Sequence, residues 1–214
     1  MHSISRISEI PPRDRLWPVA ELLVAGALIL GANILDVVPT SETPWLVALG
    51  WLSLRLRGCS WRTLGFPRPA RWLATAGTAQ APAVALQLIS ELVIEPLTGR
   101  ADLSEFHSLA GILPASLGML AVVWTMAAFG EEMAHRGHVL ARAAALGHYS
   151  SSAYAIAIVV GLLFGFGHFY QGLAGMIGST VSGLLFGALD LKAGRSLRLP
   201  VLAHGFSIGK VTAS

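Results

Sequence analysis

The chain has 214 residues, of which 54% are hydrophobic and only 13% charged, and its mean hydropathy is +0.63. Soluble proteins carry about 25% charged residues, so a water-soluble globule is excluded and the bilayer is the expected solvent. The net charge of +3 therefore bears on membrane topology and not on nucleic acid, and the lone Cys59 allows neither an internal disulfide nor a Cys-based zinc site.

Crossing the hydrocarbon core takes about 20 largely apolar residues in a helix. Residues 1–16 read as a short cytoplasmic segment. A first span runs from Trp17 to Val38, and a turn rich in Pro, Ser and Thr leads to a shorter apolar run, Trp45 to Leu56. The connector Arg57 to Ala70 is broken by Pro67 and Pro69, and its Trp61, with Trp72 beyond it, suits the membrane interface. Further spans are expected at about Trp72–Ile94 and Leu109–Phe129, the latter continuing as helix through Glu131 to Leu146. The last three are expected at Ser152–Phe169, Leu173–Leu191 and from Leu199 to the end. The predicted fold is all-α, a polytopic transmembrane bundle of about seven spans, with residues 17–108 forming an amino-terminal half and 109–214 a second region. Small residues four apart, Gly161 with Gly165 and Gly183 with Gly187, predict close helix packing.

The basic residues fix an orientation. Arg6, Arg13 and Arg15, then Arg55, Arg57, Arg62, Arg68 and Arg71, then Arg136 and Arg142, then Lys192, Arg195 and Arg198 all fall on one side of a seven-span chain. The other side holds Glu42, Glu95, Asp102 and Glu105 with only Arg100. Positive charge marks the cytoplasmic side, so the amino terminus is expected in the cytoplasm of an integral membrane protein. The first run is a full span followed by others, so it reads as an anchor and not a cleaved signal.

Ionisable groups within spans cost about 2.5–3.5 kcal/mol each, so those retained are functional candidates. One group is Glu131-Glu132-Met133-Ala134-His135-Arg136-Gly137-His138. On a helix Glu132 and Arg136, four apart, can pair, which leaves the Glu131 carboxylate available to act on water. A second is Phe164-Gly165-Phe166-Gly167-His168, and a third Ala203-His204-Gly205-Phe206-Ser207. Taken singly, Glu131 to Arg136 could be a helix end in the headgroups, and each histidine could be structural. Taken together, one carboxylate and two histidines on three helices have reason to share a cavity. His135 and His138 read as helix-end residues near the interface more than as auxiliary ligands. Glu21, Asn33 and Asp36 read as partners between helices, and Glu91 and Glu95 as markers of the outer end of the third span.

Glu131-Glu132 with Arg136 matches an EExxxR motif, Phe164 with His168 matches FxxxH, and His204 stands where an HxxxN or HxxxD motif begins. This ordered set resembles the CPBP (CAAX protease and bacteriocin-processing, Abi) intramembrane proteases, which include the type II CAAX prenyl endopeptidases and proteins linked to bacteriocin maturation or immunity. The resemblance covers about Leu109 to Ser207, and the connector Trp61-Arg62-Thr63-Leu64-Gly65-Phe66 is similar to one often seen in the family. It implies peptide-bond hydrolysis in the membrane, on a prenylated peptide, a leader peptide or a membrane-protein loop, in a bacterial-type plasma membrane. Carried over by position, Glu131 activates water, His168 holds it, His204 stabilises the oxyanion, and Glu132 with Arg136 orients Glu131. The resemblance implies a metalloendopeptidase with a divalent metal such as zinc: Glu131, His168 and His204 make a His₂Glu set of the kind catalytic zinc uses, yet there is no HExxH and Glu131 cannot easily be both ligand and base, so the ion stays open.

Two departures shape the alternatives. Ile208 occupies the position where the family has Asn or Asp, with Ser207 and Lys210 as out-of-register substitutes. Loss of an oxyanion donor costs about a hundredfold or more in rate, so a catalytically impaired member acting as a membrane scaffold or immunity protein is the first alternative. A small proton-coupled transporter is the second, although no inverted repeat supports it. Span counting also puts Glu131 and His204 in the cytoplasmic half but His168 near the far end of its span, so that either this span begins later or a helix is tilted or broken. The carboxy-terminal Val-Thr-Ala-Ser has no CAAX box.

Overall fold

The structure, a computed structural model, describes residues 16–60, 72–104, 112–146 and 152–208. The amino-terminal segment with Arg6, Arg13 and Arg15, the Trp61–Phe66 connector with Arg62, Arg68 and Arg71, Glu105, Lys210 and the last four residues lie outside the described residues.

Among the described residues the chain is all-helical and forms seven continuous helices. They are α1 (Leu16–Asn33), α2 (Thr43–Leu56), α3 (72–98), α4 (113–146), α5 (Ser152–Phe166), α6 (Gly172–Lys192) and α7 (Arg198–Ile208). Four stretches, in α1, α3, α4 and at Phe169–Lys192, have the length and hydropathy to cross a membrane. α5 carries a shorter apolar stretch, Tyr154–Phe166. Apolar side chains such as Leu23, Leu30, Leu92, Leu117 and Leu162 are exposed, as a lipid-facing surface requires, because lipid does not penalise them.

Local sequence sets the boundaries. Pro44 and Pro114 sit in the first turns of α2 and α4, where a missing N–H costs nothing. α1 stops at Asn33, short of the expected Val38: the Asn33 amide donates to the Ile29 carbonyl at 3.0 Å and to Glu42 at 3.1 Å, and Asp36 takes a positive φ of 49°. α3 runs past Ile94 through a wide π-type turn at Ser90–Ile94 and ends where Gly99 adopts φ +83°, a conformation that favours glycine. α4 is wound with i→i+5 hydrogen bonds over Val123–Glu131 and Met133–Leu140, a winding that recurs at functional sites.

Among the described residues packing forms three apolar clusters, the smallest of which is Leu54, Met133 and Leu197. Ala25, Ile29, Leu46, Ala134, Leu140 and Val160 join α1, α2, α4 and α5, while Ala79, Leu86, Phe186 and Ala203 join α3, α6 and α7. α5 and α6 make the most extensive helix pair. Their backbones touch at Gly161 and Gly183, where a Cβ on Gly183 would lie 2.9 Å from the Gly161 Cα. The expected small-residue packing is therefore present, and in lipid such close approach replaces the hydrophobic drive that water supplies. α3 packs on α6 and α7, α4 packs on α2 and α7, and a cavity of about 840 Å³ occupies the space bordered by α3, the first half of α4, α6 and α7.

Candidate active site

The motif residues come together around that cavity. Glu131, Phe164, His168 and His204 all line it, contributed by α4, α5, the α5–α6 turn and α7. Beneath its floor, Glu132 and Arg136 are fully buried and paired at 3.1 Å, as the i, i+4 spacing predicts. The Arg136 guanidinium also donates to the Gly183 carbonyl at 3.0 Å and lies 4.7 Å from the centre of the Phe164 ring. Only a helix without side chains at this contact lets the guanidinium reach the backbone: a Cβ on Gly183 would stand 3.3 Å from Arg136 Nη2. A buried charge needs this full set of partners.

The same Glu132 oxygen, Oε1, lies 3.0 Å from His204 Nδ1. A carboxylate accepts only, so Nδ1 carries the proton and Nε2 is left on the cavity side, 3.9 Å from Glu131 Oε2. That Glu131 oxygen is buried and has no hydrogen-bond partner among the described residues. His168 is fixed in the same way: its Nδ1 lies 2.8 Å from the Phe164 carbonyl, which holds the ring with Nε2 available.

Phe164 is the hub. Its ring centre is 4.8 Å from that of His168, 5.1 Å from His135 and 6.0 Å from His204. The difference in depth suggested by span counting is bridged here. α4 is long, with a 31-residue apolar stretch from Leu113 to Ala143, and the cavity extends from Glu131 to the α5–α6 turn that carries His168. No break in α5 is needed.

Several residues behave differently from their sequence reading. His135 and His138 are buried in the bundle, at 3% and 1% exposure, and are not interfacial helix-end residues. His135 holds the Glu131 carbonyl at 3.0 Å through Nδ1. His138 belongs instead to a second polar cluster, in which Glu21 accepts from Ser53 and Arg57 at 2.8 Å each and lies 3.1 Å from Arg142. Glu21 thus ties α1 to α2 and α4, the pairing role expected of it. Ser207, offered as a substitute for the residue missing at 208, donates its hydroxyl to the His204 carbonyl at 2.8 Å, and Ile208 itself lines the cavity.

Asp190 and Arg195 escaped the sequence reading. Asp190 is fully buried on α6 and bonds Arg195, whose other guanidinium nitrogen donates to the Arg136 carbonyl at 2.8 Å. An acid inside the apolar run Gly187-Ala188-Leu189-Asp190-Leu191 was the available signal, since such a residue requires a partner.

Glu131, His168 and His204 are the donor types of a catalytic zinc site. Among the described residues, however, no group of three or more His, Cys, Asp or Glu side chains is placed to hold a metal ion.

No curated protein and no solved structure matches the chain. Residues 113–207, the stretch from α4 to α7 that carries Glu131, Glu132, Arg136, Phe164, His168 and His204, match the family model described as type II CAAX prenyl endopeptidase Rce1-like. Over this stretch the chain is similar to the type II CAAX prenyl endopeptidases, and its four long apolar helices fit a membrane protein.

Proposed function

We propose that the protein is an intramembrane endopeptidase that hydrolyses a peptide bond of a membrane-associated substrate with Glu131 as general base. The observation that carries this reading is the pairing at the cavity floor. Glu132 holds His204 by Nδ1, and the Nε2 atom so presented lies 3.9 Å from Glu131 Oε2, which is buried and without a hydrogen-bond partner among the described residues.

In this account a water held by Glu131 and His168 loses a proton to Glu131 and attacks the scissile carbonyl carbon. The negative charge moves to the carbonyl oxygen, which His204 stabilises as an imidazolium, with its Nδ1–H held by Glu132 and a second proton on Nε2 facing the cavity. The C–N bond then breaks, the proton held by Glu131 passes to the leaving amine, and acid and amine products depart. Glu132 and Arg136 touch no substrate and act by positioning His204 and the Glu131 turn. Every step runs through the chain's own groups. Residues 109–214 supply the chemistry, while residues 17–108 contribute walls of the cavity through Thr43, Gln87 and Ser90. The amino terminus is read as cytoplasmic, in a bacterial-type plasma membrane.

The test is a substitution series in proteoliposomes. Glu131→Gln, His168→Ala and His204→Ala should each abolish cleavage of a quenched-fluorescent apolar peptide by the purified chain. Cleavage that survives all three would end the proposal. A second reading, a family member without hydrolytic activity serving as scaffold or immunity protein, is favoured by Ile208 in the cavity wall.

A further inference from the structure

Gly183, Phe186 and Asp190 share one face of α6, because residues three and four apart on a helix stand above one another. Each meets the site in its own way. The Gly183 carbonyl accepts from the Arg136 guanidinium, and the Phe186 ring centre lies 4.9 Å from that of His204. Asp190, fully buried, bonds Arg195, whose second guanidinium nitrogen donates to the Arg136 carbonyl at 2.8 Å. Arg136 is thus held at its side chain by α6 and at its backbone by the turn that follows α6.

That turn is shaped for the grip. Arg195 has φ +65°, a left-handed conformation that favours glycine and strains any residue with a side chain. Glycine would turn the chain here without strain, so what Arg195 adds is its guanidinium. Leu197, in the same turn, is fully buried in a cluster with Leu54 and Met133, and Met133 is the neighbour of Glu132. The turn is therefore fastened to α4 by an apolar contact and a polar one on either side of the Glu132–Arg136 pair's shared helical turn. α7 opens at Arg198, directly after it, and carries His204.

Well-packed apolar side chains often match or exceed a buried ion pair in stability. The Asp190–Arg195 pair is also incompletely matched, since Asp190 Oδ1 is buried without a hydrogen-bond partner among the described residues. What the pair supplies beyond apolar packing is direction: a planar fork that fixes a carboxylate and a carbonyl at once.

We infer that Asp190 and Arg195 are positioning residues of the reaction, which lock the α6–α7 turn to α4 and so set His204 Nδ1 on Glu132 with Nε2 toward Glu131. Neither lines the cavity, and both act through Arg136 and α7. This rests on the peptidase reading above and adds the residues that aim its oxyanion group.

The test separates aim from fold. Asp190→Leu/Arg195→Gly removes both charges together and relieves the positive φ, so its thermal stability in detergent should equal or exceed that of the wild type. Its cleavage of a quenched-fluorescent apolar peptide should nonetheless lose about ten- to a hundredfold in kcat with KM unchanged, the effect of a slightly misplaced catalytic group. Unchanged kcat in the folded double variant overturns the inference. Side-chain ¹⁵N NMR of the histidines in the full chain, with His204 assigned by His204→Gln, reads the aim without a substrate. Neutral His204 should carry its proton on Nδ1 in the wild type and shift toward the Nε2–H form in the double variant. A wild-type His204 signal in that variant overturns the inference. If the double variant does not fold, both readouts pass to Arg195→Lys, which keeps a cation beside Asp190 but offers one nitrogen in place of the fork, and the same outcomes decide. Where the wild type cleaves no peptide, a shifted His204 signal upholds the positioning and the failure counts against the peptidase reading alone.

Discussion

Glu132 Oε1 stands 3.0 Å from His204 Nδ1, so a carboxylate on α4 sets the orientation of an imidazole 72 residues later in the chain. The same oxygen pairs with Arg136, which makes Glu132 the link between the buried cation and the cavity. Removing one partner of a buried pair leaves an uncompensated charge and costs about 3–5 kcal/mol. Arg136→Met should therefore lower thermal stability in detergent markedly. Glu132→Gln/Arg136→Met should recover much of that loss yet remain inactive, because the His204 orientation is not restored. A double variant that regains cleavage would show that the pair serves the fold alone.

Glu131 has the opposite profile. One of its oxygens is buried without a partner among the described residues, an arrangement that costs stability, as the proposed general base would. Glu131→Gln should reduce cleavage by about 10²–10⁴-fold while leaving the melting temperature equal or higher. A folded Glu131→Gln chain with near-normal turnover would remove Glu131 from the mechanism.

Gly183 couples packing to the site. A Cβ there would meet Gly161 at 2.9 Å and Arg136 Nη2 at 3.3 Å, whereas a Cβ on Gly118 would meet nothing within 4 Å. Gly183→Ala should destabilise the chain by about 1–3 kcal/mol, the usual cost of overpacking, and depress cleavage beyond its effect on folded yield. Gly118→Ala should do neither. Thermal unfolding and cleavage measured on the same preparations check both.

Ile208 lines the cavity one turn beyond His204, and the neighbouring Ser207 hydroxyl is donated to the backbone. Ile208→Asn restores a hydrogen-bond donor at that wall. The expected result is a rise in kcat approaching about 10²-fold with little change in KM, the signature of a contact made in the transition state. An unchanged kcat would mean that another group already fills that role.

The sequence made the helices and the three motifs legible because hydropathy and i, i+4 spacing are local properties. Glu132 and Arg136 pair as their spacing requires, and the glycines of α5 and α6 pack as small residues in lipid do. What was not legible depends on tertiary placement. His135 and His138 read as a charged helix end because the apolar span gives out near Phe129. The helix continues to Leu146 as expected, but inside the bundle, where Phe164 and Glu21 cover the two histidines from other helices. His168 looked too shallow because counting treats each span as crossing alone, while the cavity joins the α5–α6 turn to the middle of α4. Asp190 was readable as an isolated acid in an apolar run, but its partner Arg195 reaches the Arg136 carbonyl only through the turn that positive φ at Arg195 creates.

The central claim, Glu131-dependent proteolysis in the membrane, is tested most directly by profiling new protein amino termini in host membranes. One membrane carries the wild-type chain and the other Glu131→Gln, at matched expression. The account predicts a set of termini present only with the wild type, located in or beside membrane segments. Coincident profiles from two folded, equally expressed chains would contradict it.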